Sequence, residues 1–175
     1  RRAKEERFRR DDPARRGDIE AIRRQHPPDR DYPVGIDCGS MIGRIRNMLT
    51  FEGLAYAIHD YPDMVEDMVE TSCLLVEDAL DQILPHFDAD FASGWEDICF
   101  KNGPIVSLGF YTRVIVPRYK RITDFLRQEF GTEFNQLDCD GNIHQLAPLW
   151  LDGGINVMFP VEAAHTDPVR LAEQL

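Results

Sequence analysis

The sequence predicts an α/β fold built on a parallel sheet. Three observations predict it. Four short apolar runs, near residues 33–37, 90–95, 134–137 and 155–159, read as strands. Each is followed by a segment with helical spacing or a helix-start signal. Gly and Pro punctuate the joins. Strands that alternate with helices imply a parallel sheet with helical crossovers. Units this regular fit either a (β/α)8 barrel or a doubly wound sheet. A barrel takes roughly 250 residues, so these 175 residues would hold about half of one.

The elements follow in order. Residues 1–32 form a polar lead-in that Pro27-Pro28 closes, and residues 33–175 form the folded domain. The first strand runs from Pro33 to Asp37, then the loop Cys38-Gly39-Ser40-Met41-Ile42-Gly43 leads into a long helical region. Asp60-Tyr61-Pro62-Asp63 starts a second helix, with a cap candidate, Pro in the first turn and acids near the amino terminus. Its core stripe reads as Met64, Met68, Ser72, Leu75, Val76, Ala79, Leu80 and Ile83, and Pro85 ends it. The second strand, Asp90 to Trp95, ends in Glu96-Asp97, and Asn102-Gly103-Pro104 makes a turn. A helix over about 117–130 stops at Gly131, where a left-handed residue is needed. The third strand is Phe134 to Leu137, a short helix covers about 143–151, the fourth strand is Ile155 to Phe159, and a last helix begins at Asp167-Pro168.

Composition narrows the function classes. The formal net charge is −11. The first 30 residues hold 11 Lys/Arg against 7 Asp/Glu, a local charge of +4, which leaves −15 on residues 31–175. An acidic domain argues against a nucleic-acid partner, which needs a basic surface. No apolar run approaches the ~20 residues of a membrane span, and no signal segment opens the chain. Cys38, Cys73, Cys99 and Cys139 have no metal-ribbon or CxxC spacing and read as reduced thiols of a cytoplasmic protein. The chain starts without Met and stops inside a helical pattern, so it is expected to be an internal piece of a longer protein. Gly39 and Gly43 alone do not make a dinucleotide fingerprint.

The sharpest functional signal is acidic. Asp138 and Asp140 close the third strand and Glu162 follows the fourth. Residues two apart on a strand share a face, so Asp138 and Asp140 point together with Cys139 turned away. The carboxyl ends of parallel strands are where α/β enzymes do chemistry. Converging carboxylates persist only with a cation, a shared proton or a positive substrate. Asp138 and Asp140, with Asp97 and Glu96 one strand away, are therefore catalytic candidates, and Asp138, Asp140 and Glu162 are candidate ligands for an oxygen-coordinated divalent metal. Arg44, Arg46 and Lys101 are the nearby basic residues. His144 opens a helix beside Asn142 and is a substrate-binding candidate; His165 lies beyond the fourth strand, whereas His59 and His86 sit at helix ends as structural residues. Trp95, Trp150 and Cys73 read as core.

Several pieces of the chain from about Asp31 to Gln174 resemble the uroporphyrinogen decarboxylase superfamily, which also contains corrinoid-linked methyltransferases. They are Gly39-Ser40-Met41-Ile42-Gly43-Arg44, His59-Asp60-Tyr61-Pro62, Gly94-Trp95-Glu96-Asp97, Lys101-Asn102-Gly103-Pro104, Pro117-Arg118-Tyr119, Asp140-Gly141-Asn142 and Pro160-Val161-Glu162. The resemblance implies a (β/α)8 barrel, of which four strand–helix units are present. It implies that Asn47, in the loop after the first strand, is a polar pocket residue; with Arg44, Lys101 and His144 it makes the set of candidates for binding a small-molecule substrate. Where the zinc methyltransferases of the family carry His-x-Cys-Gly, this chain has Asp138-x-Asp140-Gly141, so hard oxygen donors replace imidazole and thiolate.

The expected function is that of a barrel enzyme of this superfamily performing metal-assisted methyl transfer or demethylation, with a corrinoid carried by a partner protein. The alternatives are decarboxylation of a tetrapyrrole acetate, as in porphyrin biosynthesis, and a non-catalytic binding role in a methyltransferase complex. The acidic strand ends would repel a polyanionic tetrapyrrole.

Overall fold

The computed structural model describes residues 8, 9, 12, 14 and 17–175. Helix α1 is Ile19–Gln25, β1 is Gly35–Gly39, α2 is Gly43–Asp60 and α3 is Pro62–Ile83. Strand β2 is Phe91–Trp95, and β3 Cys99–Phe100 with β4 Gly103–Pro104 forms a small hairpin after it. Helix α4, Leu108–Phe110, runs through a π turn, Tyr111–Ile115, into α5, Val116–Phe130. Strand β5 is Phe134–Asp138, α6 is Ala147–Asp152, β6 is Val157–Phe159 and α7 is Pro168–Gln174.

Strands β1, β2, β5 and β6 form one parallel sheet in that order. Gly35 lies opposite Phe91, Phe91 opposite Phe134, and Trp95, Asp138 and Phe159 stand in one row. The chain is thus an α/β protein on a four-stranded parallel sheet, as the strand–helix alternation predicts. The hairpin of β3 and β4 is the one strand pairing that the sequence reading leaves as a turn: each strand has two residues, too short for an alternation signal.

The two faces of the sheet differ. Ile36, Ala92 and Leu137 are buried under Tyr119, Ile122 and Leu126 of α5, in a core that continues through Val65, Val69 and Cys73 of α3. The opposite parity carries Phe134, Val157 and Phe159, 58%, 38% and 53% exposed, along with half-buried Ser93, Trp95, Gln136 and Asp138. Helices therefore cover one face and leave the other open. Trp150 is buried and donates its indole N–H to Tyr111 Oη at 2.8 Å, whereas Trp95 is only half-buried, on the open face.

The buried residues of α3 are Val65, Val69, Cys73, Leu75 and Leu80; of the stripe expected from the sequence, Leu75 and Leu80 are buried, Met68, Val76 and Ile83 pack half-buried against the core, and Met64 is 45% exposed. Apolar residues crowd both stripes, so spacing alone cannot decide the rotation of this helix about its axis. Against α5 the same helix presents acids. Glu70 binds Arg118 and Arg121 at 2.9 Å each, and Glu77 binds Arg121 at 2.5 Å. Burial pushes the Glu70 carboxyl up, but hydrogen bonds and charge from Arg121 and Arg118 outweigh it and leave Glu70 below the usual range.

Helix α5 ends as predicted. Gly131 adopts φ 68°, and its N–H and that of Thr132 return to the carbonyls of Arg127 and Leu126. A Cβ added at Gly131 would meet nothing within 4 Å. The only cost of a side chain there is the left-handed backbone. Gly131→Ala is expected to lower stability by about 1 kcal/mol, read by chemical denaturation; an unchanged midpoint would show that the turn relaxes.

No helix among the described residues is long and apolar enough to cross a membrane.

Candidate functional site at the strand carboxyl ends

The carboxyl ends of β1, β2 and β5 meet through their backbones and through one buried acid. Glu96 follows β2 and is 0% exposed. Its Oε1 accepts from Met41 N at 3.0 Å and from the Tyr119 hydroxyl. Its Oε2 accepts from Ser40 Oγ at 2.9 Å, Ile42 N at 3.0 Å and Gly43 N at 2.7 Å. Ile42, the residue before α2, offers no side-chain cap. The carboxylate of Glu96 fills that role for the N–H groups of Met41, Ile42 and Gly43 that lead into the helix, and Ser40 Oγ accepts the Arg44 N–H at 3.0 Å. Gly43 permits the approach: a Cβ there would sit 2.2 Å from Glu96 O. Burial pushes the Glu96 carboxyl up, while Tyr119 and the three backbone N–H groups pull the other way. Glu96, expected as a catalytic acid, is instead an internal cap. Both of its oxygens are occupied by these donors inside the core.

Asp97 turns the other way. It is exposed, has φ 47°, and heads the loop toward the β3–β4 hairpin. One strand over, the Asp138 carbonyl accepts Glu96 N at 2.9 Å, which locks the ends of β2 and β5 together. The Asp138 side chain is half-buried on the open face. Burial raises its pKa first, and the charges of Asp97 and Asp140 raise it further. The structure thus brings Asp97, Asp138 and Asp140 into one electrostatic group, and Cys139 is buried away from it as the alternation predicts.

Glu162 does not join that group as a ligand. Its Oε2 accepts the Gly141 N–H at 2.5 Å, and Thr166 Oγ1 donates to Gly141 O at 2.8 Å. These bonds fix the tight turn after β5, where Gly141 has φ 87° and lies against the Cys99 carbonyl. Among the described residues, no three His, Cys, Asp or Glu side chains are placed to hold a metal ion. The metal centre expected at Asp138, Asp140 and Glu162 is therefore corrected: the third acid is committed to a backbone turn, and the remaining donors do not converge with another.

The substrate-binding candidates separate. Asn47 lines a cavity of about 380 Å³ between the first turns of α2 and the β3–β4 hairpin, together with Arg46, Phe51, Asp97, Phe100 and Ile105. Arg44 instead lines a different cavity, between α2 and α3, with Met48 and Met68. Lys101 is exposed at the hairpin tip. His144 is half-buried, with its Nδ1 3.3 Å from Gln174 Oε1 of α7. His165 is exposed in the segment before α7. His59 and His86 are exposed at helix ends.

Two features of this mouth lie beyond sequence reasoning. Thr50 has φ 67° inside α2, so the helix kinks beside the cavity, and neither Pro nor Gly stands at or next to it to signal the break. Phe51 and Phe100 pair with ring centroids 5.3 Å apart although one belongs to a helix and the other to the hairpin. Arg46, Asn47, Thr50 and Phe51 do carry a signal: i and i+4 spacing places them on one helix face.

Cys99 and Cys139 are both buried free thiols at the base of this mouth. The hydrogen bond between them, and then burial, pushes the Cys99 thiol far above its ordinary range. Cys99 is thereby a packing group rather than a nucleophile.

Comparison with family models, with curated proteins and with solved structures finds no match to this chain. The geometry of the mouth is therefore the ground for a functional reading.

Proposed function

We propose that the chain is a carbon–carbon lyase of the uroporphyrinogen decarboxylase type, with Asp138 as the proton donor. The reading rests on one observation: a half-buried carboxyl at the end of an interior parallel strand, held protonated to higher pH by burial and by Asp97 and Asp140. A carboxyl in such a setting is suited to general acid work. In decarboxylation the C–C bond electrons stay on carbon as CO2 leaves, and Asp138 returns a proton to that carbon, ending as a carboxylate. The parallel sheet, covered on one face and open on the other, supports reading these units as half of a (β/α)8 barrel, whose interior the open face would line. The sequence resemblance supports the same family.

The methyl-transfer reading keeps the resemblance but loses the three-acid metal set on which its chemistry was drawn. The strand-end acids favour a substrate of low negative charge over an octa-anionic tetrapyrrole.

The test is CO2 release from a carboxyl-labelled panel of heteroaryl acetates and uroporphyrinogen, run beside demethylation of methylcobalamin. Release of labelled CO2 supports the lyase reading. Methyl loss without CO2 replaces it with methyl transfer, and neither activity leaves the non-catalytic binding role.

The sign of the pH dependence follows from the proton donor. Asp138 must be protonated to act, so the rate should fall as pH rises through its folded pKa, at a higher pH than an ordinary Asp near 3.9 would set. A pH–rate profile that rises over that range would assign Asp138 to the base role instead.

A further inference from the structure

The cavity between α2 and the hairpin has both polar and apolar lining. Arg46 is its cationic group. Its Nε and Nη2 donate to Asn47 Oδ1 at 3.3 and 2.9 Å, and its Nη1 donates to the Asp97 carbonyl. Three of the five guanidinium N–H groups are used in this way, and one remains on each terminal nitrogen. The carboxylate of Asp97 is not the partner; its backbone is. Arg113, Arg118 and Arg121 each pair with a carboxylate, whereas Arg46, half-buried in an acidic protein, pairs with none among the described residues. Asn47 accepts through its oxygen, and its amide NH2 has no acceptor among the described residues. The same cavity is lined by Phe51 and Phe100, 44% and 58% exposed, and by Ile105.

We propose that this cavity binds a flat, aromatic monocarboxylate, with the carboxylate on Arg46 and the Asn47 amide and the ring against Phe51 and Phe100. The guanidinium fork matches a carboxylate in shape and charge. A volume of about 380 Å³ is at the small end of ligand cavities. One unpaired cation offsets one negative charge, and the Asp97, Asp138 and Asp140 group disfavours a second. The inference names a ligand class for the cavity that Asp97 lines, and binding there does not depend on the lyase reading.

The experiment titrates benzoate, benzyl alcohol and benzylamine into the purified chain, followed by amide chemical shifts. Benzoate should bind most tightly, with shifts concentrated in residues 46–51 and 97–105. Arg46→Gln should weaken benzoate at least about tenfold and remove its advantage over benzyl alcohol. Asn47→Asp, an exposed change that sets a carboxylate beside Arg46, should weaken it as well, so the outcome does not hang on one variant; circular dichroism checks that each folds. Benzylamine binding as tightly as benzoate, benzoate affinity unchanged in both variants, or shifts clustered elsewhere would overturn the proposal. Benzoate binding without any CO2 release from the labelled panel would leave this site standing and remove the lyase reading.

Discussion

Glu96→Gln is expected to lower unfolding free energy by about 2–4 kcal/mol, and Glu96→Ala by about 4–5 kcal/mol, in denaturant titrations. Five donors converge on this carboxylate: three backbone N–H groups at the start of α2, the Ser40 hydroxyl and the Tyr119 hydroxyl. An amide in its place keeps one acceptor and turns an NH2 toward groups that are themselves donors. Alanine removes every acceptor and leaves backbone N–H groups in a site that water does not reach, each costing about 1–3 kcal/mol when unsatisfied. A domain of this kind is stable by about 5–15 kcal/mol in total, so Glu96→Ala is near the limit of folding. A surface acid would change stability by at most about 0.5 kcal/mol. A loss that small in both variants would show that α2 is capped some other way and would return Glu96 to the mouth as a reactive group.

How much of this was legible in the sequence depends on which physical signal each element carries. The parallel sheet was legible because apolar runs, Gly131 and Pro168 mark where the chain must turn, and those constraints are local. Strand parity also places most of the acids. On β5, Asp138 shares parity with exposed Phe134 and half-buried Gln136, while Cys139 follows Asn135 and Leu137 into the core. The same rule applied to β2 groups Glu96 with Ala92 and Gly94 on the buried face, and Asp97 with Ser93 and Trp95 on the open one. Adjacency of two acids hides that split unless the parity is carried one residue past the strand. Glu162 had no such signal. Its partner, Gly141, is 21 residues away in sequence, and only the turn geometry brings them together. The kink at Thr50 and the pairing of Phe51 with Phe100 were likewise set by tertiary packing, which overrides helical periodicity where the middle of α2 meets the β3–β4 hairpin.

Asp138→Asn is expected to reduce turnover by about 10²–10⁴-fold while leaving the fold as stable as before, or more so. The two halves of this expectation have separate causes. Activity falls because an amide cannot deliver a proton to carbon. Stability does not fall because the Asp138 carboxyl has a raised pKa, so its ionisation weakens the folded state: any contribution it makes is present below its unfolded pKa and lost as pH rises through the folded one. Removing the charge relieves repulsion from Asp97 and Asp140. Asp140 acts on the same proton from outside. It is exposed, and its charge helps hold Asp138 protonated. Asp140→Ala should therefore also suppress turnover near neutral pH without unfolding the chain, and the alkaline limb of its pH–rate profile should move toward acid. That displacement separates it from Asp138→Asn, which abolishes the limb altogether. A variant pair with ordinary rates and an unmoved limb would leave Asp138 and Asp140 as turn residues at the end of β5, with the chemistry elsewhere on the open face of the sheet.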